Sequence, residues 1–502
     1  MVHYLAKFTF LTLAFAVPAP AAEPGRLVIA TPILPSQVLS PYQGLALPSI
    51  MSSLAVFDPL TVIDRDGQVR PWLARAWTSA DGRVWTVTLR DDVAFSNGAP
   101  LTAKAIVASI AHMQSAKGRA ETVGSSLANI AAARALDAHR AEVTLKEPDA
   151  MFPMRMALWK LPEPEGWRRL SADDPGAAVG TGPFMFAAVE EGRVTLAANP
   201  RAWNAARVPR LQFIQLQDQI ARVQAILSGG ADIALQLGVE DRAVIEAGGG
   251  TVARRAATQV RYIAFATEHM PDTPVRDVRV RLALNHAVDR ARIIATLLDG
   301  QTRPVDQLVL PGAPGHDPAI APFAFDPARA RALLAEAGHA NGLDLTVRMA
   351  AAGADDATVF QQVAADLRAV GVNLSMLTTT QAQMTPLMFQ GAFGTDMFIN
   401  FARGLDPLGD YRFRSCLGLA AGHKPFFCDA EALPLVERAR TAPTLDQAAA
   451  ALRLAIRRER DNPPGIFLWE TTALDGFGPR AAVPSDYAGW YEFLPLHALA
   501  LR

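Results

Sequence analysis

The chain has 502 residues, of which 50% are hydrophobic and 19% charged, and its formal net charge is −1. This length is sufficient for two or three domains with sizeable cores. The near-neutral charge, with no basic cluster, argues against nucleic acid or an anionic membrane as a partner.

The first residues have the pattern of a secretion signal. Lys7 gives a weakly positive start, residues 8–17 form a short apolar core, and small residues follow at 19–22. We therefore expect a signal peptide at residues 1–22. The apolar run is too short to span a bilayer comfortably, and no cysteine follows it to carry a lipid anchor. The mature protein is expected to be soluble and exported.

Strand and turn patterns dominate the first half of the mature chain. An apolar run at Arg26–Pro32 predicts a strand that enters a loop containing Tyr42. Asp81-Gly82 is a hairpin signal before the alternating strand Val84–Leu89, and Thr102 is placed to cap a helix. Further strands are predicted at 141–145, 184–189, 211–216, 231–237 and 259–266, and a helix over 218–227 is predicted to bury Ile220, Val223, Ile226 and Leu227.

The second half alternates helices and strands. Asp289 and Asp326 precede apolar periodic runs and are expected to cap helices. A strand at 345–349, a helix over about 357–370 and a strand at 372–377 predict a parallel pair with a right-handed crossover. The remaining elements are a helix that follows the capping box at Thr444 and buries Leu445, Ala448, Leu452 and Ile456, and a strand at 466–469.

The stretch from Asp396 to Asp410 carries the clearest binding signal. It begins as a short apolar run and then becomes a loop with Gly, Pro, one Arg and two Asp. Open α/β sheets present binding groups in loops of this kind, where a strand ends. The alternative is an ordinary exit from a strand with solvated charges.

The two cysteines, Cys416 and Cys428, are close in sequence. In an oxidising compartment such a pair is most simply a disulfide. His423 lies between them and leaves a metal site as the alternative, but one His and two Cys at this spacing match no strong zinc pattern. We therefore predict a disulfide and no metal.

Catalytic and cofactor motifs are absent from the sequence. There is no HExxH pattern, no GxSxG elbow and no phosphate-binding GxxxxGK[ST] loop. A glycosidase could still use carboxylates that are far apart in sequence, so a secreted hydrolase stays open as an alternative. An exported chain with these features is more simply a binding protein without a cofactor than an enzyme.

Several sequence stretches resemble one family. In their order along the chain they resemble the peptide/nickel-type solute-binding proteins of ABC importers, extracellular solute-binding protein family 5. The stretches are Phe57–Leu60, Pro71–Trp77, Leu89–Ala103, Gly180–Phe184, Asn199–Trp203, Arg276–Arg290 and Phe325–Gly338.

The resemblance implies an α/β fold of the bilobed periplasmic-binding-protein type II architecture, with an extra β-rich subdomain in the first lobe. It places lobe I at residues 23–255, with the extra subdomain at about 50–180. Lobe II would span 256–471, and residues 472–502 would return to lobe I. Such proteins trap a solute between the lobes by hinge closure.

The resemblance also implies a role. The protein would be a monomeric periplasmic receptor that delivers a small or peptide-like solute to an inner-membrane ABC permease, and it would perform no chemistry on that solute. A receptor for a nickel or other metal chelate on the same fold is the alternative.

One residue departs from the family pattern. Peptide-binding members carry an Asp a few residues before the Pro of the cleft loop, where it pairs with the α-ammonium of the peptide. Counting back from Pro407, that position is Arg403 in this sequence. An arginine suits a carboxylate or phosphate rather than an ammonium, so we expect an anionic or modified-peptide-like solute. Arg403 could instead pair with Asp406 or Asp410 inside the loop.

The predicted ligand-binding residues come from two loops and one strand. Tyr42 lies in the loop after the first strand, and the other candidates belong to the stretch from Asp396 to Asp410. The full set is Arg403, Tyr42, Asn400, Phe401 and Asp406.

Overall fold

The fold is described here from a computed structural model. The structure describes residues 25–34, 39–42, 50–166, 177–255, 259–350, 354–380, 383–384, 387, 390–402, 404–416, 424–471, 473–487, 490–491 and 495–502. The predicted signal peptide and Arg403 lie outside these residues. Within them, no helix is long and apolar enough to cross a membrane.

The strands of the described residues are short to medium in length. In chain order they are β1 (Arg26–Thr31), β2 (Thr61–Asp64), β3 (Val69–Pro71), β4 (Ala74–Thr78), β5 (Val84–Leu89), β6 (Ile130–Ala135), β7 (Arg140–Leu145), β8 (Phe184–Glu190), β9 (Arg193–Ala198), β10 (Arg210–Gln215), β11 (Ile233–Leu237), β12 (Thr251–Arg254), β13 (Gln259–Phe265), β14 (Leu343–Ala350), β15 (Val372–Thr379), β16 (Met397–Ala402), β17 (Gly465–Thr471), β18 (Leu474–Phe477), β19 (Ala481–Ala482), β20 (Trp490–Tyr491) and β21 (Ala500–Leu501).

The longer helices lie in the second half of the chain. In chain order the helices are α1 (Met51–Val56), α2 (Ala103–Met113), α3 (Ala116–Ala120), α4 (Thr122–Ser126), α5 (Phe152–Arg155), α6 (Gln219–Leu227), α7 (Asp241–Ala247), α8 (Val278–Ala287), α9 (Arg290–Leu297), α10 (Pro327–Glu336), α11 (Ala354–Arg368), α12 (Pro407–Arg414), α13 (Leu433–Arg440) and α14 (Leu445–Asp461).

A seven-stranded mixed sheet organises the part of the chain that we call the first lobe, residues 25–255 and 473–502. Its strand order is β12-β18-β11-β1-β10-β9-β8. The central strand β1 is almost completely buried and pairs parallel with β10 and with β11. Strand β18 runs antiparallel to β11 and to β12.

A five-stranded sheet organises the second lobe, our name for residues 259–471. Its order is β15-β14-β16-β13-β17. Strand β14 pairs parallel with β15 and with β16, whereas β13 is antiparallel to both its neighbours. The strand–helix–strand unit of β14, α11 and β15 was predicted from the sequence, and its parallel register is confirmed.

A smaller antiparallel sheet lies within the first lobe, with the order β4-β5-β7-β6. Helix α2 packs on it, and the two share a separate apolar core that contains Trp85 and Trp159. The bilobed α/β architecture with an additional β-rich part therefore agrees with the prediction.

The helix starts predicted at Asp289, Asp326 and Thr444 are capped as expected, and Asp218 caps α6 in the same way. The side chains of Asp218, Asp289, Asp326 and Thr444 each accept a hydrogen bond from the backbone N–H three residues later. Such bonds satisfy one of the free N–H groups in the first turn. Thr102 also occupies a cap position, but its side chain makes no capping hydrogen bond.

Two helices bury fewer predicted residues than expected. In α6, Ile220 is 69% exposed, and Leu227 is exposed as well. The buried stripe is centred on Arg222, Val223 and Ile226, and at 3.6 residues per turn the two apolar residues lie roughly a quarter turn away from it. Leu445, the first residue of α14, is exposed too. Strand β6 was not predicted from the sequence.

The chain passes between the two large sheets twice. It leaves the first sheet after Arg254 and enters the second at Gln259, and it returns between Thr471 and Leu474. These passages lie beside the boundaries predicted at residues 255 and 471. The assignment of each residue to a domain stays a prediction.

Candidate functional site

The carboxyl ends of most strands in the two large sheets lie at the junction of the lobes. The passage after β12 leaves from the end of the first sheet where β1, β10 and β11 finish. In the second sheet, β14, β16 and β17 finish at the edge where β13 begins. Loops that follow the carboxyl ends of strands form the binding crevices of open α/β sheets. The candidate site is therefore the seam between the two lobes.

The seam contains an ion pair between the lobes. Arg155 ends helix α5 in the first lobe, and its Nη1 lies 3.0 Å from Oδ2 of Asp406 in the second lobe. The Nε of Arg155 lies 2.6 Å from Oδ2 of Asp149, which belongs to its own lobe. Burial opposes the charged form of Arg155, but the two carboxylates outweigh this effect and raise its pKa.

Apolar contacts continue across the same seam. Ile63, Met151 and Met154 of the first lobe are buried in one cluster with side chains of the second lobe, among them Leu310 and Leu405. The seam thus combines an apolar surface with a few charged groups, which is the usual composition of a small-molecule site.

A second ion pair joins the lobes farther along the surface. Arg440, at the end of α13, contacts Glu147 of the first lobe. Ala150 packs nearby against Ala442 and Ala448 of the second lobe. In this structure the segment of the first lobe from Glu147 to Arg155 therefore contacts the second lobe at two separate ion pairs.

Asp406 begins a helix that the sequence analysis interpreted as a loop. Its Oδ1 accepts the backbone N–H of Gly409 at 3.0 Å, and Pro407 occupies the first turn of α12. The signal was present, because the same Asp-Pro pair at Asp326 was correctly interpreted as a helix start. Asp406 thus caps α12 through one carboxylate oxygen and contacts Arg155 through the other.

Asn400 and Phe401 lie on opposite faces of β16, because adjacent residues of a strand alternate between faces. Asn400 is buried and donates from Nδ2 to the hydroxyl of Tyr262 at 3.0 Å. Phe401 is 43% exposed. These two predicted residues therefore lie on different faces of the sheet and do not line the same side of a binding site.

A buried polar cluster lies behind Asn400. Burial raises the pKa of Tyr262 and holds the pKa of Tyr411 well above its usual range. Arg414 and Glu459 form an ion pair and are both almost completely buried. These contacts lie inside the second lobe and link β13, α12 and α14 to the strand that enters the seam.

Tyr42 is fully buried in the core of the small sheet. Its ring stacks on His112 with 5.6 Å between the ring centres, and His112 contacts Glu121 at 2.7 Å. Burial raises the pKa of the Tyr42 hydroxyl. In this conformation Tyr42 offers no surface to a solute, so its predicted contact with a ligand gains no support from its position.

The remaining predicted residues give different outcomes. Cys416 and Cys428 form the expected disulfide, with 5.3 Å between their Cα atoms. Arg403 lies outside the described residues, although it directly follows β16. The part of the chain that the structure describes holds no group of three or more His, Cys, Asp or Glu side chains suited to a metal ion.

The sequence analysis missed Arg155 and the polar groups at the passages between the lobes. Arg155 could have been suspected, because it is a charge inside the apolar segment 151–159. At the passages, Arg255 is buried and pairs with Asp475, which also accepts the hydroxyl of Tyr487 at 2.9 Å. No local pattern indicated this pair, since its members are 220 residues apart.

The chain is similar to known proteins over most of its length. A model of the bacterial extracellular solute-binding proteins, family 5 (middle), matches residues 68–414. The nickel-binding periplasmic protein of Escherichia coli (strain K12) is 27% identical over 422 residues, which cover 77% of each chain. The di/tripeptide-binding protein 2 of Pseudomonas aeruginosa (strain UCBPP-PA14) is 28% identical over 407 residues, 74% of this chain and 75% of the relative.

The fold agrees with solved structures over nearly the whole chain. NikZ from Campylobacter jejuni in complex with Ni(L-His) matches with a TM-score of 0.79 and 19% identity, and the match covers 95% of this chain and 99% of that one.

Proposed function

Because the chain belongs to the bacterial extracellular solute-binding proteins of family 5, we propose that it captures one small anionic solute in the seam between its lobes. The chain is a solute-binding receptor that serves an ABC importer. The proposal concerns the chemistry of the solute, for which we infer a carboxylate-bearing or modified-peptide-like compound.

The position of Arg403 carries this proposal. It directly follows β16, whose carboxyl end lies at the edge of the second sheet nearest the first lobe. A cation that is enclosed between two lobes needs an opposite charge. The planar guanidinium of arginine binds carboxylate or phosphate through paired hydrogen bonds. A solute with an anionic group would supply that charge.

The same reasoning disfavours simple peptides that are anchored through a free amine. An arginine at this position repels an α-ammonium group, whereas a masked amine or a second carboxylate removes the conflict. We therefore expect ordinary dipeptides to bind weakly, although one relative is named as a di/tripeptide-binding protein.

A metal chelate is the second candidate. It is favoured by the likeness to the nickel-binding periplasmic protein of E. coli. The described residues hold no cluster of metal ligands, so a metal would arrive already bound by a small chelator. The carboxylates of that chelator would then contact arginine at the seam, which is the anion recognition already proposed.

The proposal also covers the oligomeric state of the protein, its location and its partner. We infer a monomeric receptor in the periplasm without a lipid anchor, which docks transiently on an inner-membrane permease. We also infer that it leaves the solute chemically unchanged. Incubation with peptide and glycan substrates should give no product, and a product would instead support a secreted hydrolase.

Mass spectrometry of the solute that co-purifies with the protein would test the class of solute directly. Calorimetric titration should then compare dipeptides with the anionic compounds identified. Arg403→Ala should abolish anion binding, whereas Arg453→Ala, at an exposed position on α14, should leave it unchanged. Tight dipeptide binding that Arg403→Ala does not alter would refute the proposal.

A further inference from the structure

Arg155 has one carboxylate partner in its own lobe and one in the other lobe. Asp149 is six residues from Arg155 in the same lobe, and its Oδ1 also accepts the backbone N–H of Met151 at 2.9 Å. Because both residues belong to the first lobe, this contact does not depend on the position of the second lobe. Asp406 reaches Arg155 from the second lobe, so that contact exists only while the lobes are together.

The two oxygens of Asp406 have separate partners. Oδ1 accepts the N–H of Gly409 and caps α12, whereas Oδ2 lies against Nη1 of Arg155. When the lobes separate, the cap remains and the Oδ2 contact is lost. The side chain of Arg155 is 17% exposed and that of Asp406 is 31% exposed, so the pair is partly open to water.

We propose that Arg155 is a second anion-recognising residue of the seam and that the carboxylate of Asp406 takes the place of the solute's anionic group in the empty protein. This inference rests on the proposed function. Arg155 presents its guanidinium to a carboxylate across the seam, next to the apolar side chains of Met151 and Met154. An anionic solute would displace the Oδ2 atom of Asp406 and receive the same hydrogen bonds from the guanidinium of Arg155.

Two consequences follow for the molecule. The empty protein is drawn toward the closed state by the Arg155–Asp406 contact. A solute that carries a carboxylate has to compete with Asp406, whereas a neutral solute cannot replace it. Asp406 therefore acts as an internal competitor that favours anionic solutes over neutral ones of the same shape.

Asp406→Asn tests the contact without disturbing the helix, since Asn is as good a helix cap as Asp. Double electron–electron resonance would measure the closed fraction of solute-free protein, with spin labels on cysteines introduced at Lys117 and Leu454, which are exposed in different lobes. The closed-to-open ratio should fall about fivefold, which is the size expected for loss of a partly exposed charge pair. Arg155→Gln should lower it similarly.

Asp277 offers a matched control. It also caps a helix and pairs with an arginine, Arg279, at 2.6 Å, but both residues belong to the second lobe. Asp277→Asn should therefore leave the closed fraction unchanged. If Asp406→Asn and Asp277→Asn gave the same closed fraction as the wild type, the proposal would be overturned.

Chemical rescue tests the displacement itself. Asp406→Ser keeps a capping oxygen but leaves room beside Arg155 for a small carboxylate. Acetate should restore the closed fraction of this variant, and chloride at equal ionic strength should not. If acetate were no more effective than chloride, Asp406 would not be standing in for a solute anion. This experiment does not involve Arg403, so its outcome is independent of the Arg403→Ala titration.

Discussion

The buried pair of Arg255 and Asp475 predicts a large effect of a single isosteric substitution. Asp475 is fully buried in β18 and accepts three donors: Arg255 Nε, the Tyr487 hydroxyl at 2.9 Å and the backbone N–H of Gln236 at 2.8 Å. Arg255 follows β12, so the pair ties together the two chain passages between the lobes. Burial disfavours the charge on Arg255, but Asp475 more than compensates, and the pKa of Arg255 is raised.

Asp475→Asn keeps the shape of the side chain and removes its charge. Arg255 is then left as a buried cation without its carboxylate, and the new amide N–H₂ group faces donors instead of acceptors. Breaking a buried pair by removing one partner costs about 3–5 kcal/mol. We therefore expect the free energy of unfolding, measured by urea denaturation, to fall by about 4 kcal/mol.

A pair exposed at the surface provides the control. Arg70 pairs with Asp64 at 2.6 Å, but the arginine side chain is largely exposed. Arg70→Met should cost less than about 1 kcal/mol, because exposed pairs contribute little. If Asp475→Asn cost no more than Arg70→Met, the charge on Asp475 would not hold the passages together.

Three further predictions concern stability. Asp58 is buried and accepts hydrogen bonds from the indole N–H groups of Trp72 at 2.8 Å and Trp203 at 3.1 Å. Asp58→Ala should therefore lower the free energy of unfolding by about 2 kcal/mol. If urea denaturation gave a decrease below a quarter of that value, these bonds would not have the stabilising role assigned to them. Cys428→Ser opens a loop with a sequence separation of 12 and should cost about 3 kcal/mol, whereas unchanged denaturation in reductant would contradict a stabilising disulfide. Burial lowers the pKa of His497, so the unfolded chain binds more protons than the folded protein as the pH falls below about 6.5, and stability is lost there. In thermal melts, the melting temperature of His497→Asn should fall less on acidification than that of the wild type. An equal fall in both proteins would contradict this assignment.

Local patterns predicted much of the secondary structure. Alternation gave β5, apolar runs gave β1 and β13, and capping residues gave the starts of α9, α10 and α14. These signals work because the caps and periodicity act over one to four residues. Helix α12 was missed although it uses the same Asp-Pro start as α10. The stretch was interpreted as a binding loop, and the helix start at Asp406 was therefore not predicted.

The candidate site was harder to predict because its contacts connect distant segments. Arg155 and Asp406 are 251 residues apart, and no local pattern indicates which of the many charges will face each other. The side of a strand is easier to predict, since alternation alone places Asn400 and Phe401 on opposite faces. The position of Tyr42 in a core could not be read from its loop, because loops seldom enter cores.

The arginines show why a charge in the sequence does not reveal its role. Arg290 is buried and donates to backbone carbonyls and to Asn285, and burial lowers its pKa to about 9. Arg155 is paired with carboxylates instead, and its pKa is raised. Both are arginines at helix ends and look alike in sequence. What distinguishes them is the kind of partner: Arg290 donates to uncharged oxygens of its own lobe, whereas Arg155 pairs with two carboxylates. Because one of these carboxylates, Asp406, belongs to the other lobe, the surroundings of Arg155 change when the lobes move, whereas those of Arg290 do not.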